Sequence, residues 1–95
     1  MKKSVKILVK GRFDQKKFET SILDLAIKLS IQGTLQKNNE RSNLICAIGE
    51  VEKVESLIDE FYSDEIGLDL DEVEIWPMEV EKDFRGIFRI VNANE

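Results

Sequence analysis

Gly11-Arg12-Phe13-Asp14-Gln15-Lys16-Lys17-Phe18-Glu19 joins a short apolar strand to an amphipathic helix. A small phosphate-binding domain keeps its anion loop at such a junction, because backbone N–H groups at a helix start attract negative charge. Here no glycine follows Gly11, and the stretch ends on Glu19, where a cation would serve an anion better. The outline of a phosphate site is present without its chemistry.

The flanking segments give the order of elements. Val5, Ile7 and Val9 alternate on one face of the strand that leads in. Asp14 is the expected N-cap of the following helix. Phe18, Ile22, Leu25, Ala26 and Leu29 recur at helical spacing, and Gly33 is expected to end that helix. Residues 34–48 read as a hairpin with a polar turn at Asn38-Asn39-Glu40-Arg41-Ser42. After Gly49 a second helix is expected from about Glu50 to Ser63, with Val51, Val54, Leu57, Ile58 and Phe61 on its apolar stripe. Its first turn is acidic, which suits the positive end of the helix dipole. Asp71–Trp76 alternates as a strand, and Pro77 places it at a sheet edge. Gly86–Val91 is a last strand, and residues 92–95 are expected to fray. The order is β-α-β-β-α-β plus a short closing strand. That is the α+β ferredoxin-like sandwich, an antiparallel sheet with two helices on one face, in one domain over residues 1–95.

Composition narrows the function. There is no histidine, and Cys46 is the lone cysteine. The usual general base and commonest metal ligand are therefore absent, and no internal disulfide can form. Cys46 sits among apolar residues and reads as packing, not as a nucleophile. The acidic groups Asp69/Asp71/Glu72/Glu74 and Asp59/Glu60/Asp64/Glu65 lack the spacing of a calcium loop. They read as a solvated face, so no metal and no cofactor are expected. The net charge of −5 conceals +6 over residues 1–41 and −12 over residues 50–83. The acidic half argues against nucleic acid as a partner, because it would repel phosphates. No run nears the roughly 20 apolar residues of a bilayer span. Lys6 and Lys10 interrupt the apolar stretch behind the basic Met1-Lys2-Lys3-Ser4, which excludes a signal-peptide core. No membrane partner and a cytoplasmic location are expected.

The sequence resembles the acylphosphatase family. The family signature Gly-Arg-Val-Gln-Gly-Val-Gly-Phe-Arg is matched at Gly11, Arg12 and Phe18. Its helix ends in a pattern like Leu-Gly-Leu-x-Gly-Trp-Val-x-Asn. Leu29-Ser30-Ile31-Gln32-Gly33-Thr34-Leu35-Gln36-Lys37 lies over that pattern without a gap and keeps Leu29 and Gly33. Gly49 and Phe88-Arg89-Ile90 fall where the family has a glycine and a closing aromatic-x-aliphatic pair. The resemblance covers nearly the whole chain and rests on spacing and core residues.

The resemblance implies a site made by an arginine, which grips the phosphoryl oxygens, and an asparagine, which orients the attacking water. Glu19 and Lys37 stand at those two positions. Glu19 repels the developing charge, and Lys37 has no acceptor for a water's hydrogen. Gln15 and Lys17 replace the glycines that let the loop curl around phosphate. Asn38 is the substitute within reach, but one residue of slip turns a strand side chain to the other face unless a bulge intervenes. If the family's two positions converge here, a Glu19–Lys37 salt bridge fills the vacated pocket; otherwise the two are unrelated surface charges on a helix start and a hairpin.

A second surface comes from the strands. Comparison with the family puts Ile45 and Ala47 under the helices, which leaves Leu44, Cys46 and Ile48 on the open face, and alternation sends Leu8 with them. Ile87 and Val91 of the last strand and Trp76 of the fourth are expected to join. Such an apolar patch with a basic rim marks a contact surface, for a homodimer or a separate protein partner.

The leading expectation is an acylphosphatase-like module without catalysis, binding a protein through this face. A small anion at Arg12, Lys16, Lys17 and Lys37 comes second. The alternative is a divergent acylphosphatase hydrolysing the carboxyl-phosphate bond of acyl phosphates. A small-ligand regulatory domain is a third class that the topology also admits.

Overall fold

The computed structural model describes residues 1–12, 14–63, 69–79 and 86–91. Phe13, Asp64, Glu65 and the tail 92–95 lie outside them. Among the described residues seven elements follow in order: β1 (Lys2–Arg12), α1 (Gln15–Lys28), β2 (Gln32–Asn39), β3 (Ser42–Glu50), α2 (Val51–Tyr62), β4 (Asp69–Pro77) and β5 (Phe88–Val91). The sheet runs β4-β1-β3-β2-β5. β4, β1, β3 and β2 pair antiparallel, while β5 lies parallel to β2. The sheet is therefore mixed, and the expectation of an antiparallel sheet fails at its last strand. β2 and β5 are separated by β3, α2 and β4, and that long path brings the chain back in the same direction. Among the described strands β4 pairs with β1 alone, which is the edge position that Pro77 indicates.

Register sorts the strands into two faces. Val5, Ile7 and Val9 of β1 lie beside Ala47, Ile45 and Asn43 of β3. All six are buried, and Leu35 and Phe88 extend the same layer across β2 and β5. Phe18, Ile22 and Ala26 from α1 and Val54, Leu57 and Phe61 from α2 close over it. Spacings of three and four residues put each trio on one helical stripe. Leu25, Leu29 and Ile58 are half-buried at the margin. Among the described residues, no helix is long and apolar enough to cross a membrane.

The first helix stops earlier than Gly33. Leu29 is its C-cap, and Ser30 follows in the left-handed region at φ 55°. The Ser30 amide donates to the Ile27 carbonyl at 3.2 Å and the Ile31 amide to the Ala26 carbonyl at 2.8 Å. Those two bonds make a Schellman ending, whose left-handed residue is usually glycine. The family pattern has its first glycine at this position. Ser30→Gly is expected to stabilise the protein by about 1 kcal/mol, since serine carries a left-handed penalty that glycine lacks. A urea titration of the two proteins tests this. An unchanged midpoint would mean that Ser30 bears no such strain.

The other face of the sheet is mixed in character. Glu74, Leu8, Leu44, Gln36 and Val91 form one cross-strand row. Trp76, Lys6, Cys46, Thr34 and Arg89 form the next. Thr34 and Gln36 of β2 break the apolar patch that the sequence suggests. Its rim is not simply basic either, because Lys10 is paired with Glu72 at 3.3 Å and Glu74 at 3.8 Å. Leu8, Leu44, Cys46 and Val91 are half-buried and Trp76 is exposed. Ile48 is buried, so it does not present itself to a partner. Ile87 precedes β5 and lines a groove beside Ala26, Ile27 and Ile31. That groove belongs to α1, so Ile87 is no part of the open face.

Candidate functional site

The start of α1 carries the site. Asp14 is extended, at φ −80° and ψ 101°, and its carboxylate accepts the Lys17 amide at 3.3 Å. Its carbonyl accepts the Phe18 amide at 2.9 Å. The helix thus begins at Gln15, and most of the stretch expected to be an anion loop is already its first turn. Glu19 lies one turn beyond Gln15 on the same side.

Gln15 is the hub. Its Nε2 donates to Glu19 Oε2 at 2.9 Å and to Asn43 Oδ1 at 2.7 Å. Asn43 Nδ2 donates back to Gln15 Oε1 at 3.2 Å. Asn43 is 0% exposed and sits on the helix-facing side of β3, opposite Val9 and Lys37. A buried carboxamide needs its bonds, because leaving one unmade costs about 1–3 kcal/mol. Among the described residues, no buried side-chain polar atom lacks a partner.

The expected Glu19–Lys37 salt bridge does not form. Ion pairs among the described residues involve neither residue, nor Arg12, Lys16 or Lys17. Gln15 reaches Glu19 first, from one turn away. Lys37 is exposed on β2 beside Asn43 in register. Arg12, Lys16 and Lys17 are exposed as well, and form no common cradle with it in any described contact.

Asn38 has the bulge that its rescue requires, as the β2–β3 register shifts between Lys37 and Asn39. Its Nδ2 nevertheless donates to Ser42 Oγ at 3.2 Å. Ser42 precedes Asn43 on β3, and alternation turns it to the opposite side. Asn38 is therefore not brought to Gln15 and Glu19.

The sequence match to the acylphosphatase family runs over residues 5–90. This chain belongs to the acylphosphatase family. Among solved structures, an acylphosphatase from Coxiella burnetii superposes with a TM-score of 0.81 at 18% identity, covering 95% of this chain and 93% of that one. An acylphosphatase from Bacillus subtilis gives 0.77 at 18% identity, covering 96% and 99%. Full-length HypF, in its phosphate- and nucleotide-bound form, gives 0.83 at 21% identity, with 98% of this chain but 12% of HypF covered. The chain thus spans only a small part of HypF. At these identities the likeness is one of fold. No curated protein sequence gives a significant match.

Within the acylphosphatase framework the site is rich in acceptors. Two carboxylates, Asp14 and Glu19, flank the first turn of α1, and one of them occupies a backbone donor. Asn43 is the residue that the sequence reading passed over, and Gln15, expected only as the replacement of a loop glycine, is its partner. Alternation with Ile45 and Ala47 places Asn43 on the core face, and a polar residue there is the signal that was available.

Proposed function

We propose that this acylphosphatase-like domain is catalytically inactive and serves as a small binding or protein-interaction module. The observation that carries this reading is the bonding of Glu19. Its carboxylate is held by Gln15 over the buried Asn43, at the position that the family resemblance gives to a phosphate-gripping arginine. Removing one preorganised electrostatic stabiliser lowers a rate by about 10²–10³. A carboxylate in its place adds repulsion, and Lys37 supplies no acceptor for the attacking water. The open sheet face is the proposed binding surface, with Trp76, Lys6, Cys46 and Arg89 in one row and Leu8 and Leu44 in the next.

The bulge at Asn38 favours a second reading, a divergent acylphosphatase. The hydrogen bond of Asn38 to Ser42 weighs against it. Benzoyl phosphate separates the two. The protein is expected to release benzoate no faster than buffer, as followed by the loss of ultraviolet absorbance. Turnover well above buffer that disappears in Asn38→Ala would replace the module with the enzyme. Leu44→Lys is the companion variant for the surface. It is expected to abolish any self-association seen by light scattering, and unchanged association would remove this face from the proposal.

A further inference from the structure

We infer that Asp14 and Gln15, and not the charge of Glu19 alone, close the start of α1 to anions. The inference rests on the non-catalytic reading above and names what keeps the site shut. Three contacts support it. The Asp14 carboxylate accepts the Lys17 amide, so a donor that would face an anion is taken by a negative group of the chain itself. The Gln15 carboxamide is bonded to Asn43 twice, reciprocally, at 2.7 and 3.2 Å, so the buried amide is already satisfied. The same carboxamide holds Glu19 at 2.9 Å, which fixes a second negative charge beside the first turn.

The closure is made of polar contacts. Asn43 offers one donor and one acceptor toward Gln15, and Gln15 answers both. An incoming anion would have to break both bonds and satisfy Asn43 with acceptors alone. It would leave Asn43 Oδ1 unpaired in a fully buried position, and it would approach two carboxylates. Exchanging Glu19 for a cation removes only one of these obstacles.

The consequence is specific. Glu19→Arg with Lys37→Asn restores the family's residue types but leaves Asp14 and Gln15 in place. That double variant is expected to bind inorganic phosphate no better than the wild type. Adding Asp14→Gly and Gln15→Ala is expected to tighten phosphate binding by at least about tenfold, the gain expected when charge-assisted donors are freed. Glycine is an acceptable N-cap, so the helix start survives. The readout is phosphate titration followed by the amide resonances of residues 15–19, at constant ionic strength. Circular dichroism establishes that each variant is folded. If the quadruple variant does not fold, the triple variant that keeps Asp14 is titrated instead, with a smaller gain expected.

Equal phosphate affinity in the double and quadruple variants would overturn the closure. So would a folded quadruple variant, or its triple substitute, that binds no better than the wild type. Saturable phosphate binding by the wild type would overturn it as well. None of these results bears on wild-type benzoyl phosphate turnover, so failure of the closure and failure of the non-catalytic reading remain distinct.

Discussion

Gly33→Ala is expected to leave the protein without a folded state. Gly33 adopts φ 147°, a region that L side chains rarely enter. A Cβ built there would land on the backbone carbonyl oxygen of Cys46, far inside van der Waals contact. That oxygen belongs to β3, in the middle of the sheet. Gly33 lies between Ala47 on β3 and Phe88 on β5, and its amide donates to the Ile87 carbonyl at 2.9 Å. Relief would require β2 to part from β3, which opens the core layer of Leu35, Ile45 and Ala47. Strain of this kind costs more than about 4 kcal/mol. A 95-residue domain has only about 5–14 kcal/mol in total. The expected result is loss of the cooperative thermal transition together with loss of soluble yield. Gly49→Ala is the control. Its Cβ would meet Ile31 Cγ1 at 3.3 Å, a side-chain atom and not a carbonyl of the sheet, so a shift of a few tenths of an ångström suffices. It is expected to cost less than about 1.5 kcal/mol. A cooperative melt for Gly33→Ala close to that of Gly49→Ala would refute the argument.

The reason Gly33 is required was only half legible in the sequence. The family resemblance keeps it in place, and the helical reading gives it the task of ending α1. The helix ends instead at Leu29 and Ser30. Serine at the left-handed position hides that ending, because the usual signal there is glycine. The periodic segments fared better. Phe18, Ile22 and Ala26 on one helix and Val54, Leu57 and Phe61 on the other were legible from spacing alone, because burial enforces period. Asp14 carried more information than was drawn from it. A capping residue at 14 already makes residues 15–19 helical, which conflicts with reading them as a loop. Once that is accepted, Gln15 and Glu19 become neighbours by helical geometry. The third member, Asn43, is 28 residues from Gln15. No local pattern joins them; the β1–β3 pairing does. The make-up of the open face was legible only in part, for a related reason. Apolar residues on β3 suggested a patch, while the polar residues that divide it, Thr34 and Gln36, lie on β2 and enter only through register.

Asn43→Asp is the second large effect, and it tests whether the amide cluster is as dry and as interlocked as its contacts imply. The substitution is nearly isosteric, so packing against Val9 and Lys37 is retained. It replaces the Nδ2 donor by an acceptor that faces Gln15 Oε1. Gln15 cannot solve the conflict by turning its amide over, because Oε1 would then face the Glu19 carboxylate. At neutral pH the variant buries a charge at a 0% exposed position, with a second carboxylate held to the same amide nitrogen. The expected cost is about 3–5 kcal/mol. Burial comes first among the forces that raise the new carboxyl above the ordinary carboxylate range, and the Glu19 charge acts in the same direction. The sign of the pH dependence follows. A group whose folded pKa is raised loses stability as pH rises from its unfolded value through its folded one. Below about pH 4 the carboxyl is protonated in both states, and the deficit relative to wild type shrinks to that of the altered hydrogen bonds. Urea midpoints of the two proteins over a series of pH values measure the gap directly. Asn43→Leu separates charge from bonding. It loses both hydrogen bonds without adding charge, so its deficit is expected near 1–3 kcal/mol and flat across the series. A gap for Asn43→Asp that is small at neutral pH, or that does not close toward acid, would mean that water reaches Asn43. The closure of the α1 start by Gln15 would then lose its physical basis, since a wet amide pair is readily displaced by an anion carrying its own hydration.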